Sequence, residues 1–497
     1  MSATFYITTP IYYVNDKPHI GHAYTTILAD VLARFYRNSN QETYFLTGLD
    51  EHGQKVQQAA EERGVNPQKH CDEMAPRFTD LWEKLHISHD DFIRTTEDRH
   101  KKVVRDILQQ VMDKGDIYEA EYEGLYSVSE ERFITEKEAE TGDFRDIKKL
   151  KEKNYFFKMS KYQQALIDHI ESNPTFIQPE HRKNEILGFL KKPLNDLCIS
   201  RPKSRLNWGI ELPFDSDYVT YVWFDALINY ITSPGFGTNE KSFNKWWPAS
   251  MHLIGKDILT THAVYWPTML MSAGLELPKT IFAHGWWLMG ESKMSKSLGN
   301  VINPMDLIDD YGVDPVRYYL MREMVLGQDS SFTMGSFIQR YNSDLANDFG
   351  NLLSRVSTLM KKNYDGKIPN HGELTDVEKT IKSNGESLAE LVKDKIESMR
   401  LNEAIEEIMQ YVRSVNKYME DNAPWKLVKE DKDAAGRVLY TAGEALRISA
   451  VLLSPVMPNR TAILLNALNA QGTGFTWGGL TPGHQLNDHE PLFPRVK

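Results

Sequence analysis

Cysteine is nearly absent from this 497-residue chain, which holds only Cys71 and Cys198. Two thiols cannot make a disulfide framework or a four-thiolate metal site. No apolar run approaches the roughly 20 residues that a membrane helix needs. The start, Met-Ser-Ala-Thr-Phe-Tyr-Ile, enters a strand-like stretch without a basic leader, so no targeting segment is expected and the expected location is cytoplasmic. No Gly-x-x-x-x-Gly-Lys-Ser/Thr sequence occurs, which excludes a P-loop nucleotide site. Internal repeats and low-complexity tails are missing as well. So is any cationic excess: the net charge is −11, superficially an argument against a nucleic-acid partner. That total decides little, because a large protein needs only a local basic face. Residues 144–205 carry 14 Lys/Arg against 7 Asp/Glu, and a solvated surface explains this stretch as well as RNA contact does.

What is present is length and alternation. At 497 residues the chain predicts two to four domains with ample cores. Residues 1–115 alternate strand-like and helical segments: Thr4 to Ile11, a helix beyond His22, a strand at Thr43–Gly48, then helical patterns at 67–86 and 97–114. Strands resume at Met251–Gly255 and Thr280–His284, separated by a long apolar helix from Asp257. Such alternation predicts an α/β fold with a Rossmann-type parallel sheet and ligands at the carboxyl ends of its strands. Between the halves, roughly 117–218, tyrosines give way to a Glu/Lys-rich stretch without clear periodicity. From about 335 the pattern is helical, with segments near 336–362, 375–398, 401–420, 433–453 and 456–469. Stability alone is a sufficient reason for such a bundle.

Two short runs carry the chemistry. Pro18-His19-Ile20-Gly21-His22 falls where a strand passes into a helix. Histidines three apart in a first turn point the same way, and free N–H groups with the positive end of the helix dipole favour anions there. A capping turn with two incidental histidines fits this run equally well. The second run, Lys293-Met294-Ser295-Lys296-Ser297, sits in a loop between Gly290 and Gly299. Two compact charges on flexible stems suit a polyphosphate whose charge shifts during reaction, although lysines in a solvated loop usually signify nothing. Taken together and in this order, the two runs resemble the signature pair of class I aminoacyl-tRNA synthetases. The resemblance implies that His19, Gly21, His22, Lys293, Ser295 and Lys296 bind ATP, and that His19, His22, Lys293 and Lys296 stabilise the transition state of amino-acid adenylation.

Other segments point to methionine. Tyr221 to Tyr230 and Gly255 to Trp266 resemble the substrate-pocket segments of the methionyl-tRNA synthetase family. The resemblance implies that Ile11, Tyr13, Trp223, Ala226, Leu227, Tyr230, Ile258 and His262 surround the side chain and that Asp50 receives the ammonium; Tyr13 also borders ATP. Chemically this is consistent, since a thioether is apolar and polarizable and favours aromatic edges over a charged partner. Tyr230 and His262 can offer hydrogen bonds near the sulfur. Read alone, Trp223, Tyr230 and Trp266 are ordinary core aromatics. A missing methylene in an apolar pocket is worth only about 1–3 kcal/mol, so homocysteine and norleucine are expected to compete. Asn347 to Arg355 and Ala423-Pro-Trp425 resemble the family's anticodon-reading elements, implying contacts from Asn351, Arg355 and Trp425; alone, Trp425 reads as a core residue.

The chain departs from the family where many members carry a zinc knuckle with Cys-x-x-Cys ligands. Ser127 and Glu130 stand at the first pair, and no Cys or His occurs between residues 131 and 168. Tetrahedral zinc needs about four N/S ligands, so no metal site is expected. The implied layout is a catalytic fold in two halves, 1–116 and 219–285, split by a connective insertion at 117–218. A signature-loop and stem-contact region at 286–335 and an all-α anticodon-binding domain at 336–497 follow. Expected cofactors are ATP and Mg2+, and expected partners are L-methionine and both the acceptor end and the anticodon of methionine tRNA. No membrane association is expected, and the expected state is a monomer. Two other classes compete: a tRNA-independent nucleotidylyltransferase, disfavoured by the helical C-terminal region, and a non-catalytic binding protein, disfavoured by the intact histidines and lysines.

Overall fold

A computed structural model describes residues 4–15, 17–127, 132–134, 139–140, 147–289, 292–293, 303–470 and 474–496. The chain forms two compact units. One holds residues 1–18, 36–83 and 87–284, and the other holds 19–35, 84–86 and 285–497.

The first unit is built on six strands: β1 (Phe5–Tyr13), β2 (Thr43–Asp50), β3 (Asp91–Arg94), β4 (Ile177–Gln178), β5 (Met251–Gly255) and β6 (Ile281–His284). They pair in parallel in the order β3-β2-β1-β5-β6-β4. Phe45, Leu46, Leu49, Leu253, Ile254 and Phe282 are all buried, as strands covered on both faces require. Strand order reverses between β1 and β5. At such a switch point the crevice at the carboxyl ends is the natural ligand site, and β1 ends at Tyr13 while β5 ends at Gly255. The apolar helix expected after Asp257 is broken into a tight turn at Lys256–Ile258, a wide-turned stretch at Thr261–Tyr265 and a regular helix at Trp266–Ala273.

The stretch without visible periodicity is a long antiparallel pair. Ile117–Ser127 and Ile147–Phe157 run in unbroken register from Ile117↔Phe157 to Ser127↔Ile147. A two-residue period is present there, but charge occupies one face. Lys149–Glu123, Lys151–Glu121 and Lys153–Glu119 pair across the exposed strands, so no apolar alternation marks them. The same region supplies β4, whose Ile177 pairs with Ile281 at the sheet edge.

In the second unit, Trp287–Met289, Ser292–Lys293 and Ser330–Phe332 form a small sheet. The expected helices follow as Met334–Arg340, Tyr341–Gly350 and Asn351–Asn363 in succession, then Asp376–Glu397, Leu401–Asn422, Lys432–Leu453 and Pro458–Ala467. Their starts are chemically marked. Thr375 and Glu378 form a capping box, and the Asp431 side chain accepts the Ala434 N–H. The fully buried Arg317 organises the unit. It donates to the Asp30 carboxylate at 2.6 Å and to the carbonyls of Leu85, Pro455 and Val456 at 2.9 Å each. No described helix is long and apolar enough to cross a membrane.

Candidate active site

The first signature run opens helix α1 (Ile20–Asn38). The His19 backbone N–H donates to His22 Nδ1 at 3.1 Å, and the Gly21 N–H donates to His19 Nδ1 at 3.0 Å. The two rings stack with centroids 3.8 Å apart. The histidines therefore do cap the helix, and they occupy the His19 and Gly21 N–H groups that the sequence left open for an anion. An imidazole that accepts at Nδ1 carries its proton on Nε2 when neutral, so each ring keeps an N–H of the kind a phosphate oxygen accepts. Glycine leaves the His19 ring room to fold back here, because a Cβ at Gly21 would fall 2.9 Å from that ring and displace it.

The residues expected to surround methionine all lie in the first unit. Tyr13 and Asp50 are register partners at the ends of β1 and β2, and Ile11 faces Gly48. Leu227 and Tyr230 belong to one apolar cluster, with Ile11, Trp223 and Ile258 packed against it. Asp50, Ala226 and His262 are buried. The wide turn at Thr261–Tyr265 carries His262, whose Nδ1 lies 3.0 Å from the Ile258 carbonyl oxygen; its Nε2 lies 2.8 Å from the Tyr230 hydroxyl. A carbonyl can only accept, so Nδ1 holds the proton and the Tyr230 hydroxyl donates to Nε2. The two hydrogen-bonding groups expected near the sulfur are thus bonded to each other. Behind them, the Tyr230 ring lies 4.2 Å from the His252 ring. His252 accepts the Trp266 indole N–H at 3.1 Å and lies 2.8 Å from Thr8 Oγ1. Burial pushes His262 down to about 4 and His252 well below its ordinary value, while it pushes the Tyr230 hydroxyl up. Tyr230, His252 and His262 are therefore uncharged at neutral pH.

Sequence reasoning passed over the residues that fix this arrangement. Glu51, next to Asp50, is held on every side: its N–H donates to Thr95 Oγ1, its carbonyl accepts the Trp208 indole, and its carboxylate accepts Arg94 and Thr96. His52 Nδ1 lies 2.6 Å from Asp225 Oδ2, and His100 Nε2 lies 2.7 Å from Asp225 Oδ1. Burial by itself would push the Asp225 carboxyl up, but the two imidazoles outweigh it and hold it down at about 2. The run Asp50-Glu51-His52-Gly53 is a visible concentration of polar residues at a strand end. His100, in the helix Asp98–Asp113, carries no such signal.

In the second unit, the Lys293 backbone lies in a short strand opposite Leu288. Ser295 and Lys296, like Glu130, lie outside the described residues. The bundle places the Arg355 guanidinium 5.2 Å from the centroid of the Trp425 ring, which is 39% exposed rather than packed in the core. Asn351 is also exposed. Ser127 is buried and closes its strand opposite Ile147.

A parallel sheet with a reversal point beside the pocket, and a His-x-x-His turn leading from β1 into a helix, define a class I aminoacyl-tRNA synthetase. The family model for class I tRNA synthetases of the M group matches residues 5–143 and 144–357, and that for the anticodon-binding domain of methionyl-tRNA ligase matches 368–497. The methionine–tRNA ligase of Caldanaerobacter subterraneus subsp. tengcongensis is 44% identical over 508 residues, covering 100% of this chain and 79% of the relative. That of Fusobacterium nucleatum is 45% identical, covering 100% and 80%. The methionyl-tRNA synthetase of Mycobacterium tuberculosis in complex with methionyl-adenylate superposes with a TM-score of 0.94 at 40% identity, covering 99% of this chain and 100% of that one. The chain belongs to the methionyl-tRNA synthetase family. Its activity is ATP-dependent attachment of L-methionine to methionine tRNA through a methionyl-adenylate intermediate, releasing pyrophosphate and AMP.

Proposed function

We propose that the residues assigned above divide the two steps of this reaction between them. In the first, a methionine carboxylate oxygen attacks the α-phosphorus of ATP while the bond to the β-phosphate oxygen breaks, and its electron pair leaves with pyrophosphate. In the second, the terminal ribose hydroxyl of the tRNA attacks the methionyl carbonyl and AMP departs. Asp50 pairs with the substrate ammonium. Ile11, Tyr13, Trp223, Ala226, Leu227, Tyr230, Ile258 and His262 enclose the thioether. His19 and His22, with Gly21 admitting the triphosphate, donate to it, and Lys293, Ser295 and Lys296 close over the leaving pyrophosphate. Positioning and electrostatic stabilisation suffice, and no covalent nucleophile is required. The observation that carries this reading is the neutral Tyr230–His262 pair in an apolar cluster, with Asp50 at an adjacent strand end.

ATP enters as its Mg2+ complex, a substrate. The zinc-free reading is supported by the donors available: Cys71 bonds to the Glu51 carbonyl and Cys198 accepts from Arg201. The insertion at 117–218 meets the acceptor end, and the helices of 336–497 read the anticodon through Asn351, Arg355 and Trp425. The enzyme acts in the cytoplasm as a monomer. The deciding experiment for the site is methionine-dependent pyrophosphate exchange into ATP by Asp50→Ala and Trp223→Ala. A methionine KM unchanged in both variants overturns the pocket. One equivalent of zinc per chain by elemental analysis overturns the zinc-free reading.

A further inference from the structure

We propose that Asp225 is a positioning residue that sets the spacing between the ammonium end and the thioether end of the methionine site; this rests on the pocket assignment above. Asp225 lies in the short helix Val222–Ala226, two residues after Trp223 and one before Ala226. His52 follows Asp50 by two residues. The contact of 2.6 Å between His52 Nδ1 and Asp225 Oδ2 therefore joins the segment that presents the ammonium partner to the segment that lines the side-chain pocket. These segments are 173 positions apart in the chain. The second carboxylate oxygen is equally committed, to His100 Nε2 at 2.7 Å. With both oxygens bonded, the carboxylate can neither rotate nor follow one segment alone.

All three side chains are buried, with His100 and Asp225 at 0% and His52 at 3% exposure. A buried ionic group of this kind is poor value as a source of stability, since apolar residues of similar volume commonly serve as well. What it supplies is direction: two short, charge-assisted bonds at fixed angles. The surrounding bonds have the same effect on the Asp50 side, where Thr95, Trp208, Arg94 and Thr96 immobilise Glu51 between Asp50 and His52. Asp50 is thus held against the sheet by Glu51, and the pocket helix is held to that anchored turn by Asp225. Small displacements of one half against the other are costly to catalysis, and this side chain resists them.

The test is steady-state pyrophosphate exchange by Asp225→Asn and His52→Gln, with folding checked by circular dichroism and thermal melting. The expected result is a methionine KM raised about tenfold or more, with the ATP KM within about twofold and the double variant no worse than the poorer single one. S-ethyl homocysteine, longer by one carbon, should lose less than methionine does, because a loosened site discriminates length less well. A purely structural role would lower the active fraction, and so kcat, while leaving methionine KM alone; that result overturns the proposal. So does loss of the fold in both variants, which would show that the bridge holds the domain rather than the site. Asp50→Ala run in parallel separates the two readings. If it raises methionine KM while Asp225→Asn does not, the pocket stands and the bridge falls.

Discussion

The Tyr230 hydroxyl donates to His262 Nε2 at 2.8 Å because the other nitrogen of that ring is already committed to the Ile258 carbonyl. The order of these bonds has a direct consequence. Tyr230→Phe leaves His262 with an unpaired buried acceptor, at a cost of about 1–3 kcal/mol. Methionine KM should rise by roughly 5- to 150-fold if that cost falls on the bound state, with the ATP KM unchanged. A double-mutant cycle with His262→Leu should show coupling of about 0.5–3 kcal/mol. Additive losses would mean that the two side chains act on methionine separately.

The same imidazole makes stability depend on pH. Burial lowers the folded-state value of His262 to about 4 from an ordinary 6.5. Between those values the unfolded chain binds a proton that the folded one refuses, so stability rises with pH across this window. The contribution is fully present above about 6.5 and is lost as pH falls towards 4. It amounts to on the order of 3 kcal/mol. His262→Gln should reduce the slope of the pH profile of urea unfolding between pH 4 and 6.5, leaving the slope in the same direction that buried His252 contributes. An unchanged slope would show that His262 protonates normally in the fold.

Four strands of the sheet were legible because they are short apolar runs between helical patterns, and Thr43–Gly48 and Met251–Gly255 stood out for that reason; the four-residue strand Asp91–Arg94 did not. Strand β4 was not legible either, since Ile177–Gln178 is two residues long and its partner Ile281 lies far along the chain. The long pair Ile117–Ser127 and Ile147–Phe157 escaped because charge, not apolarity, carries its two-residue period. The residues proposed for the pocket came from segments that resemble a family, and their mutual bonding could not be read from those segments. Nothing in the spacing of Tyr230 and His262 says that each satisfies the other. The Asp225 bridge was invisible for a simpler reason: its partners lie 173 and 125 positions away. A histidine inside an amphipathic helix, such as His100, reads like any other buried position.

Arg317 and Asp30 test the second unit. Both are fully buried, and Arg317 spends its remaining donors on the carbonyls of Leu85, Pro455 and Val456. Removing the anion alone strands a buried guanidinium. Asp30→Leu should therefore lower unfolding free energy by about 3–5 kcal/mol, and Asp30→Leu with Arg317→Met should recover part of that loss. Urea denaturation measures both. A single variant within about 1 kcal/mol of the parent would mean that the three carbonyls alone suffice for Arg317.

Trp425 provides a test of tRNA recognition separate from adenylation. Its ring is 39% exposed, at the start of the short helix Pro424–Leu427, with the Arg355 guanidinium 5.2 Å from its centroid. Arg355 is itself 3.9 Å from the Glu420 carboxylate, so the cation is steadied from one side and the aromatic ring from the other. A large indole left half in water gains little for the bundle, whereas an unstacked base gains about 1–3 kcal/mol by lying on such a ring. Trp425→Ala should therefore reduce kcat/KM for tRNA in aminoacylation by roughly 5- to 150-fold, mostly through KM. Trp425→Phe keeps a stacking face and should recover most of that loss. Methionine-dependent pyrophosphate exchange, which needs no tRNA, should be unchanged in both variants. If exchange falls together with aminoacylation, the indole supports the fold of the bundle and does not meet the anticodon.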